Sequence, residues 1–249
     1  MTKGVLLFCF NTENTKYHTI LEKCVHLIKK NLQLEITVVT NFETYDALKP
    51  LGFINYKFID PELGNKKNGN DWRNVDRHRA YDLSPYDTTL VMDIDYFPFT
   101  NNLRPLLETK YDFLISKEAH DITNRNTFDL RRFSLIEMVW ATVFVFKKGP
   151  VAKRIFDMIK YVKEHYAYFN NLYRTRSKNF RNDYAFAIAL QQLNGFINYD
   201  TIPMKLPTLP PDCKVIEFKD TGVVWQNQTS LGFTSDQDVH VLNKEIENV

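Results

Sequence analysis

The sequence predicts an α/β fold built on a mixed, mainly parallel sheet flanked by helices. Three observations carry that prediction. Short apolar, β-branched runs alternate with amphipathic helical stretches through the first hundred residues. One run, Thr88-Thr89-Leu90-Val91-Met92, stops abruptly at Asp93-Ile94-Asp95, as strands do where a parallel sheet opens onto its ligand crevice. The second half mixes strand and helix signals without an internal repeat, so one domain over residues 1–249 with two functional halves divided near residue 98 is expected.

Residues 4–10 are the first expected strand. Residues 15–30 set Ile20, Leu21, Cys24, Leu27 and Ile28 on one helical face. Residues 34–40 form a second strand, residues 43–48 a short helix stopped by Pro50, and residues 56–59 a third strand. This β-α-β-α-β order implies right-handed crossovers between parallel strands. Residues 61–71 are rich in Gly, Asn and Lys and read as a polar loop. A helix around residues 74–82 then leads through Ser84-Pro85 into the Asp-x-Asp strand. Further on, residues 112–115 and 139–146 read as strands, and Gly149-Pro150 opens a long helix over 151–168. Residues 170–178 are expected as a basic loop, residues 181–193 as a helix stopped by Gly195, and the Pro-rich stretch 203–211 as surface chain.

Composition narrows the function classes. With 8 glycines and neither a GxGxxG nor a GxxxxGK[ST] pattern, the chain lacks the loops of dinucleotide oxidoreductases, P-loop NTPases and protein kinases. Three separated cysteines, Cys9, Cys24 and Cys213, imply packed thiols in a reducing compartment, without a disulfide framework or zinc motif. The run 5–10 is too short for a secretory h-region, and no run reaches membrane-spanning length. A cytoplasmic protein, in the host cytoplasm if viral, is expected. Net charge is +2, yet residues 122–182 hold 13 Lys/Arg against 4 Asp/Glu. That excess is either solvated helix faces or a surface for an anionic partner such as nucleic acid.

The chemistry centres on Asp93 and Asp95. On a strand they would share a face, and buried carboxylates demand a counter-charge. Mg²⁺ or Mn²⁺ fits, since either takes a few carboxylate oxygens and completes its shell with phosphate and water. A second Asp-x-Asp, Asp236 and Asp238, follows turn-like sequence and reads as a solvated loop. His240 offers a metal-ligating imidazole and Lys244 a cation for phosphate, against the alternative of an exposed tail. Arg77 or Arg73, just upstream, could pair with Asp93, Asp95 or a phosphate, or could simply be surface charge. Asp183 opens a helix, either as a dipole partner or to orient a substrate hydroxyl. The aromatics Tyr161, Tyr166, Tyr168, Phe169 and Tyr173 are expected to pack rather than to stack on a ligand.

Taken together, four segments resemble nucleotide-sugar glycosyltransferases of the GT-A fold, most nearly the glycogenin-like family 8 group and small transferases of bacteriophage genomes. They are Leu90-Val91-Met92-Asp93-Ile94-Asp95-Tyr96, Trp140-Ala141-Thr142-Val143-Phe144-Val145-Phe146, Arg181-Asn182-Asp183-Tyr184-Ala185-Phe186, and His240 with Lys244, in the expected order over most of the chain. The resemblance implies a nucleotide-sugar-binding half over 1–98 and an acceptor half over 99–249 with a donor-closing C-terminal segment. It implies Mn²⁺ or Mg²⁺ on Asp93, Asp95 and His240, Lys244 on the leaving phosphate, and Arg77 bracing Asp93. Asp183 would face donor sugar and acceptor. Phe10, Asn11, Thr12, Tyr17 and Ile94 would line the nucleotide site, with a UDP-sugar as donor. Two departures stand out: Ala141-Thr142-Val143 replaces the usual Asn-Ser-Gly, and the His-x-x-Gly-x-x-Lys spacing is contracted to His240…Lys244. Two other classes compete. A haloacid-dehalogenase-like phosphohydrolase would use Asp93 as nucleophile, and a non-catalytic module would bind a nucleotide sugar without transferring it.

Overall fold

The run Val5-Leu6-Leu7-Phe8 is apolar on both faces, which suits the middle of a sheet, and β1 (Lys3–Phe8) lies there. A computed structural model of the chain describes residues 1–52, 55–62, 65–67, 70–71, 73, 75–125, 134–177 and 179–248. After β1 come α1 (Tyr17–Leu27), β2 (Glu35–Thr40), α2 (Phe42–Leu48) and β3 (Asn55–Phe58). The expected first helix does run on, but its end widens into a π-turn over Ile28–Leu32, closed by Gln33 in the left-handed region. Asn41 caps α2 by accepting a hydrogen bond from the Thr44 amide at 3.1 Å.

The expected polar loop holds a two-rung hairpin, β4 (Lys66–Lys67) and β5 (Asn70–Asp71); its Gly64, Asn68 and Gly69 lie outside the described residues. So do Trp72 and Asn74. In place of a regular helix over 74–82 stand a 3₁₀ turn, Asp76–Arg79, and the single-turn α3 (Ala80–Leu83). Then come β6 (Thr88–Met92), β7 (Tyr96–Phe97), β8 (Phe113–Ser116), β9 (Ala119–Asp121) and β10 (Trp140–Lys147). The main sheet runs β3-β2-β1-β6-β10-β8. Its first four strands are parallel, and β10 is antiparallel to both neighbours. This is the mixed, mainly parallel sheet the sequence predicts, flanked by helices. At Gly4 a side chain would land on the Tyr86 ring, whose hydroxyl shares a 2.9 Å hydrogen bond with Thr37.

Beyond β10 the predicted long helix breaks at His165 into α4 (Pro150–Glu164) and α5 (Tyr166–Tyr173). The expected basic loop is therefore helical to Tyr173, and Lys178 lies outside the described residues. Tyr166 and Phe169 pack inward, whereas Tyr161 and Tyr168 are exposed. Helix α6 (Asn182–Leu193) follows as expected, packed on α4.

The Pro-rich stretch is not surface chain. It forms β11 (Leu206–Leu209), with Leu206, Thr208 and Leu209 fully buried. It sits inside a second sheet, β7-β15-β11-β9, completed by β15 (Val239–Val241). Pro207 is tolerated because the ladder to β15 begins only at Thr208. A third sheet, β12 (Lys214–Lys219), β13 (Gly222–Gln226) and β14 (Leu231–Phe233), sets Phe218 against Phe97 at 4.9 Å. Among the described residues no helix is long and apolar enough to cross a membrane. All three cysteines are buried thiols, and burial pushes Cys9 and Cys24 well above the ordinary range.

The second Asp-x-Asp needs correction. Asp236 is exposed, but Asp238 is 2% exposed and ties β15 to the chain after β7. Its Oδ1 accepts from the Thr100 amide at 2.7 Å and the Thr100 hydroxyl at 2.8 Å, and Oδ2 accepts from Tyr96 at 3.4 Å. Burial raises its pKa to about 6. The folded chain thus favours the protonated acid relative to an unfolded value near 4. That contribution is fully present below about pH 4 and is lost as pH rises through about 6. Against Asp238→Asn, the parent should lose roughly 2–3 kcal/mol between pH 4 and pH 7. Urea unfolding at the two pH values measures this; parallel pH profiles for the two proteins would contradict it.

Candidate functional site

After β1 the chain turns to β2 and β3 on one side, then returns to β6 on the other. Strand order therefore reverses between β1 and β6, and the crevice beyond the carboxyl ends of strands at such a switch point is where open α/β sheets bind ligands. A cleft with about 900 Å³ of empty space opens there. Phe8, Phe10 and Tyr17 form its apolar wall; Asp93, Asp95 and Asp183 supply its carboxylates.

Asp93 and Asp95 converge, though not through strand alternation. β6 ends at Met92. The Asp93 amide makes one last rung to the Thr142 carbonyl at 2.8 Å, and the chain then turns, the Tyr96 amide donating to the Asp93 carbonyl at 3.1 Å. The Val241 amide donates to the Asp95 carbonyl at 2.9 Å, which holds β15 against this turn. His240 is thereby buried rather than tail, its Nε2 3.5 Å from Asp95 Oδ1 and its ring edge-on to Trp140. Ligand atoms of Asp93, Asp95 and His240 all lie within 4.8 Å of one another. Two carboxylates and an imidazole suit a hard to borderline divalent ion such as Mn²⁺ or Mg²⁺, so the donor set fits.

Each carboxylate of the cleft is met by its own cation. Arg77, 3% exposed on the 3₁₀ turn, pairs with Asp93 Oδ1 and also donates to the Ala141 carbonyl. Burial lowers its pKa to about 10, which leaves it cationic at neutral pH. Lys244 pairs with Asp95 Oδ2. Arg181 donates to Asp183 Oδ2 at 2.8 Å, while Asp183 Oδ1 accepts from the Ala141 amide at 3.1 Å. The pairing of β10 with β8 slips between Trp140 and Phe144, a bulge that turns the Ala141 peptide groups toward these side chains. A continuous chain of contacts thus runs Arg181–Asp183–Ala141–Arg77–Asp93.

Of the residues singled out in the sequence, Asp93, Ile94, Asp95, Arg77, Asp183, His240, Lys244, Phe10 and Tyr17 border this one cleft. Asn11 and Thr12 stand in the loop between β1 and α1, outside the residues that line the cleft. Asn11 Oδ1 accepts from the His18 amide at 3.1 Å at the start of α1, and the Thr12 amide donates to the Thr15 carbonyl. Arg73 borders the cleft but pairs with Glu43 at 3.6 Å. Phe8, Arg181 and Leu242 also border it; no sequence signal marked the first and last, whereas Arg181 stood in a quoted segment without a role.

A second group, Glu62, Asp76 and His78, also lies within 4.8 Å. Its carboxylates are matched by Lys163 on Glu62 and by Arg79 and the Glu62 amide on Asp76. Burial keeps His78 below its usual range, and it bonds the Val75 carbonyl. This network steadies the turn that carries Arg77. Within the basic stretch 122–182, Arg125, Lys153, Lys160 and Arg181 each pair with an acid, and Arg131, Arg132 and Lys178 lie outside the described residues.

No protein-family model and no curated protein matches the sequence. Solved structures similar to it include the galactosyltransferase LgtC in complex with donor and acceptor sugar analogs, at 13% identity and TM-score 0.48, covering 76% of this chain and 70% of that one. Mouse xyloside xylosyltransferase 1 is similar at 11% identity and TM-score 0.49, covering 80% and 85%. So is the 4-diphosphocytidyl-2C-methyl-D-erythritol synthase of Anaerococcus prevotii, at 14% identity and TM-score 0.44, covering 81% and 86%. The choice between chemistries therefore falls to the residues of the cleft.

Proposed function

We propose that the chain is a metal-dependent glycosyltransferase of the GT-A type, moving a sugar from a nucleoside diphosphate donor, a UDP-sugar, to an acceptor hydroxyl. One observation carries the reading: two carboxylates and an imidazole converge with a lysine and two arginines at the β1/β6 switch point.

In this reading Asp93, Asp95 and His240 hold Mn²⁺ or Mg²⁺. The bound ion would supply counter-charge to the diphosphate as the bond to the anomeric carbon breaks. Arg77, fixed between Asp93 and Ala141, keeps Asp93 aimed. Lys244 reaches the departing phosphate oxygens, where negative charge grows in the transition state, so its attraction favours that state over the ground state. Asp183 is held by Ala141 and Arg181, and its remaining lone pairs can orient sugar or acceptor hydroxyls. Phe10 and Tyr17 offer apolar surface for the nucleotide. A phosphohydrolase would need Asp93 free as nucleophile, and the Arg77 guanidinium on its Oδ1 argues against that role.

The test is a panel of nucleotide sugars incubated with the protein and read by mass spectrometry. Slow release of sugar and nucleoside diphosphate, only with Mn²⁺ or Mg²⁺ present, is expected for one donor. Release of phosphate from phosphomonoesters, with every nucleotide sugar left intact, would overturn the proposal.

A further inference from the structure

We infer that the exposed apolar patch formed by the end of α5 and the turn after α6 docks on a lipid bilayer carrying anionic headgroups. The inference does not depend on the chemistry proposed for the cleft.

The turn after α6 holds apolar side chains out to solvent. Gly195 and Phe196 both stand in the left-handed region, at φ 62°. Gly195 adopts it freely, whereas a bulky side chain is disfavoured there. The Phe196 amide donates to the Gln191 carbonyl at 2.8 Å, which fixes the turn. Yet Phe196 is 60% exposed and Ile197 beside it is 70% exposed, so this strained backbone gains little burial in return.

Neighbours extend the patch. The Phe196 ring lies 6.3 Å from that of Tyr173, the last residue of α5. Leu172 precedes Tyr173, and Tyr168 stands one helical turn back on the same face as Leu172; both are exposed. Leu135, 68% exposed, joins the same corner through its amide, which donates to the Tyr173 carbonyl at 2.9 Å. Grouped in this way, Leu135, Tyr168, Leu172, Phe196 and Ile197 differ from the singly scattered apolar residues of an ordinary surface.

The charge along this part of the chain has one sign. Arg174 and Arg176 follow Tyr173 and are exposed. Between residues 165 and 199 the one acid is Asp183, which lies in the cleft on Arg181. Apolar side chains flanked by arginines match the boundary between acyl chains and anionic headgroups. A nucleic acid matches less well, because Leu135, Leu172 and Ile197 have no π face for a base to stack on. A two-fold contact with a second copy would set the patch against itself, arginines included. Among the described residues no helix can span a membrane, so the contact is with the bilayer surface. Asp183 lies at the other end of α6, 12 residues or about 18 Å away, so docking keeps the cleft near that surface.

Co-sedimentation of the full chain with vesicles tests this, comparing phosphatidylcholine alone with phosphatidylcholine mixed with phosphatidylglycerol. The apolar variant is Phe196→Gly/Ile197→Ser, in which glycine accepts the left-handed backbone. The charge variant is Arg174→Asn/Arg176→Asn, since asparagine tolerates the left-handed region that both arginines occupy. The parent should bind mixed vesicles at least about tenfold tighter than phosphatidylcholine alone. On mixed vesicles the apolar variant should lose more than about tenfold, with its melting temperature kept. The charge variant should lose about tenfold there and nothing on phosphatidylcholine alone. A parent that sediments with neither vesicle, or an apolar variant that binds as the parent does, would overturn the inference. So would light scattering that finds a dimeric parent and a monomeric apolar variant, or duplex DNA binding that the apolar variant loses.

Discussion

Asp95→Asn should lower metal-dependent sugar transfer by roughly 10²–10³-fold or more, the effect of removing a main electrostatic support of the transition state. Fold stability should stay within about 1 kcal/mol of the parent, because Asn in place of the buried Asp95 carboxylate also removes the cost of burying that charge, and the Lys244 ammonium left behind can reach solvent. The Asp95 backbone contact to Val241 does not depend on the side chain, so β15 and His240 remain in place. Steady-state turnover of the donor, together with urea unfolding of the same preparation, measures both quantities. Transfer within tenfold of the parent would remove Asp95 from the chemistry. A large stability loss would show that the pair with Lys244 is chiefly structural.

Arg77→Leu should behave in the opposite way, losing stability as well as activity. The guanidinium is buried between Asp93 and the Ala141 carbonyl. Removing one member of a buried pair leaves an uncompensated charge, which costs about 3–5 kcal/mol, and the orphaned carbonyl adds roughly 1 kcal/mol. Asp93 keeps 19% of its side chain exposed, which points to the lower end, about 3 kcal/mol. The double variant Arg77→Leu/Asp93→Asn should recover part of this, since it buries no lone charge. Urea unfolding of parent, both single variants and the double variant gives the coupling directly; strictly additive losses would mean that the two side chains do not act as a pair.

The contrast between these two aspartates, two residues apart, was only partly written in the sequence. What could be read was local. The strand β6, the acidic pair after it and the opening of α6 all follow from short-range pattern and propensity. The main sheet was legible because β1, β2, β6 and β10 are long, apolar and β-branched. The second sheet was not, because β7, β9, β11 and β15 have only 2–4 residues each and pair across 32–144 positions of sequence. Pairing of that kind is a tertiary decision, and Pro207 disguised β11 as surface chain. The same sheet carries His240 and is preceded directly by Asp238, so both looked more exposed than they are. The link from Asp183 to Asp93 was invisible for another reason. It passes through the peptide groups of Ala141, which a bulge exposes, and no side-chain motif records a bulge.

Anomalous diffraction at the manganese edge, from crystals grown with Mn²⁺ and UDP, tests the central claim most directly. A single strong peak bonded to Asp93, Asp95 and His240, with the diphosphate within reach of Lys244, is the expected result. Ordered nucleotide in the β1/β6 cleft with no manganese on those three residues would contradict it.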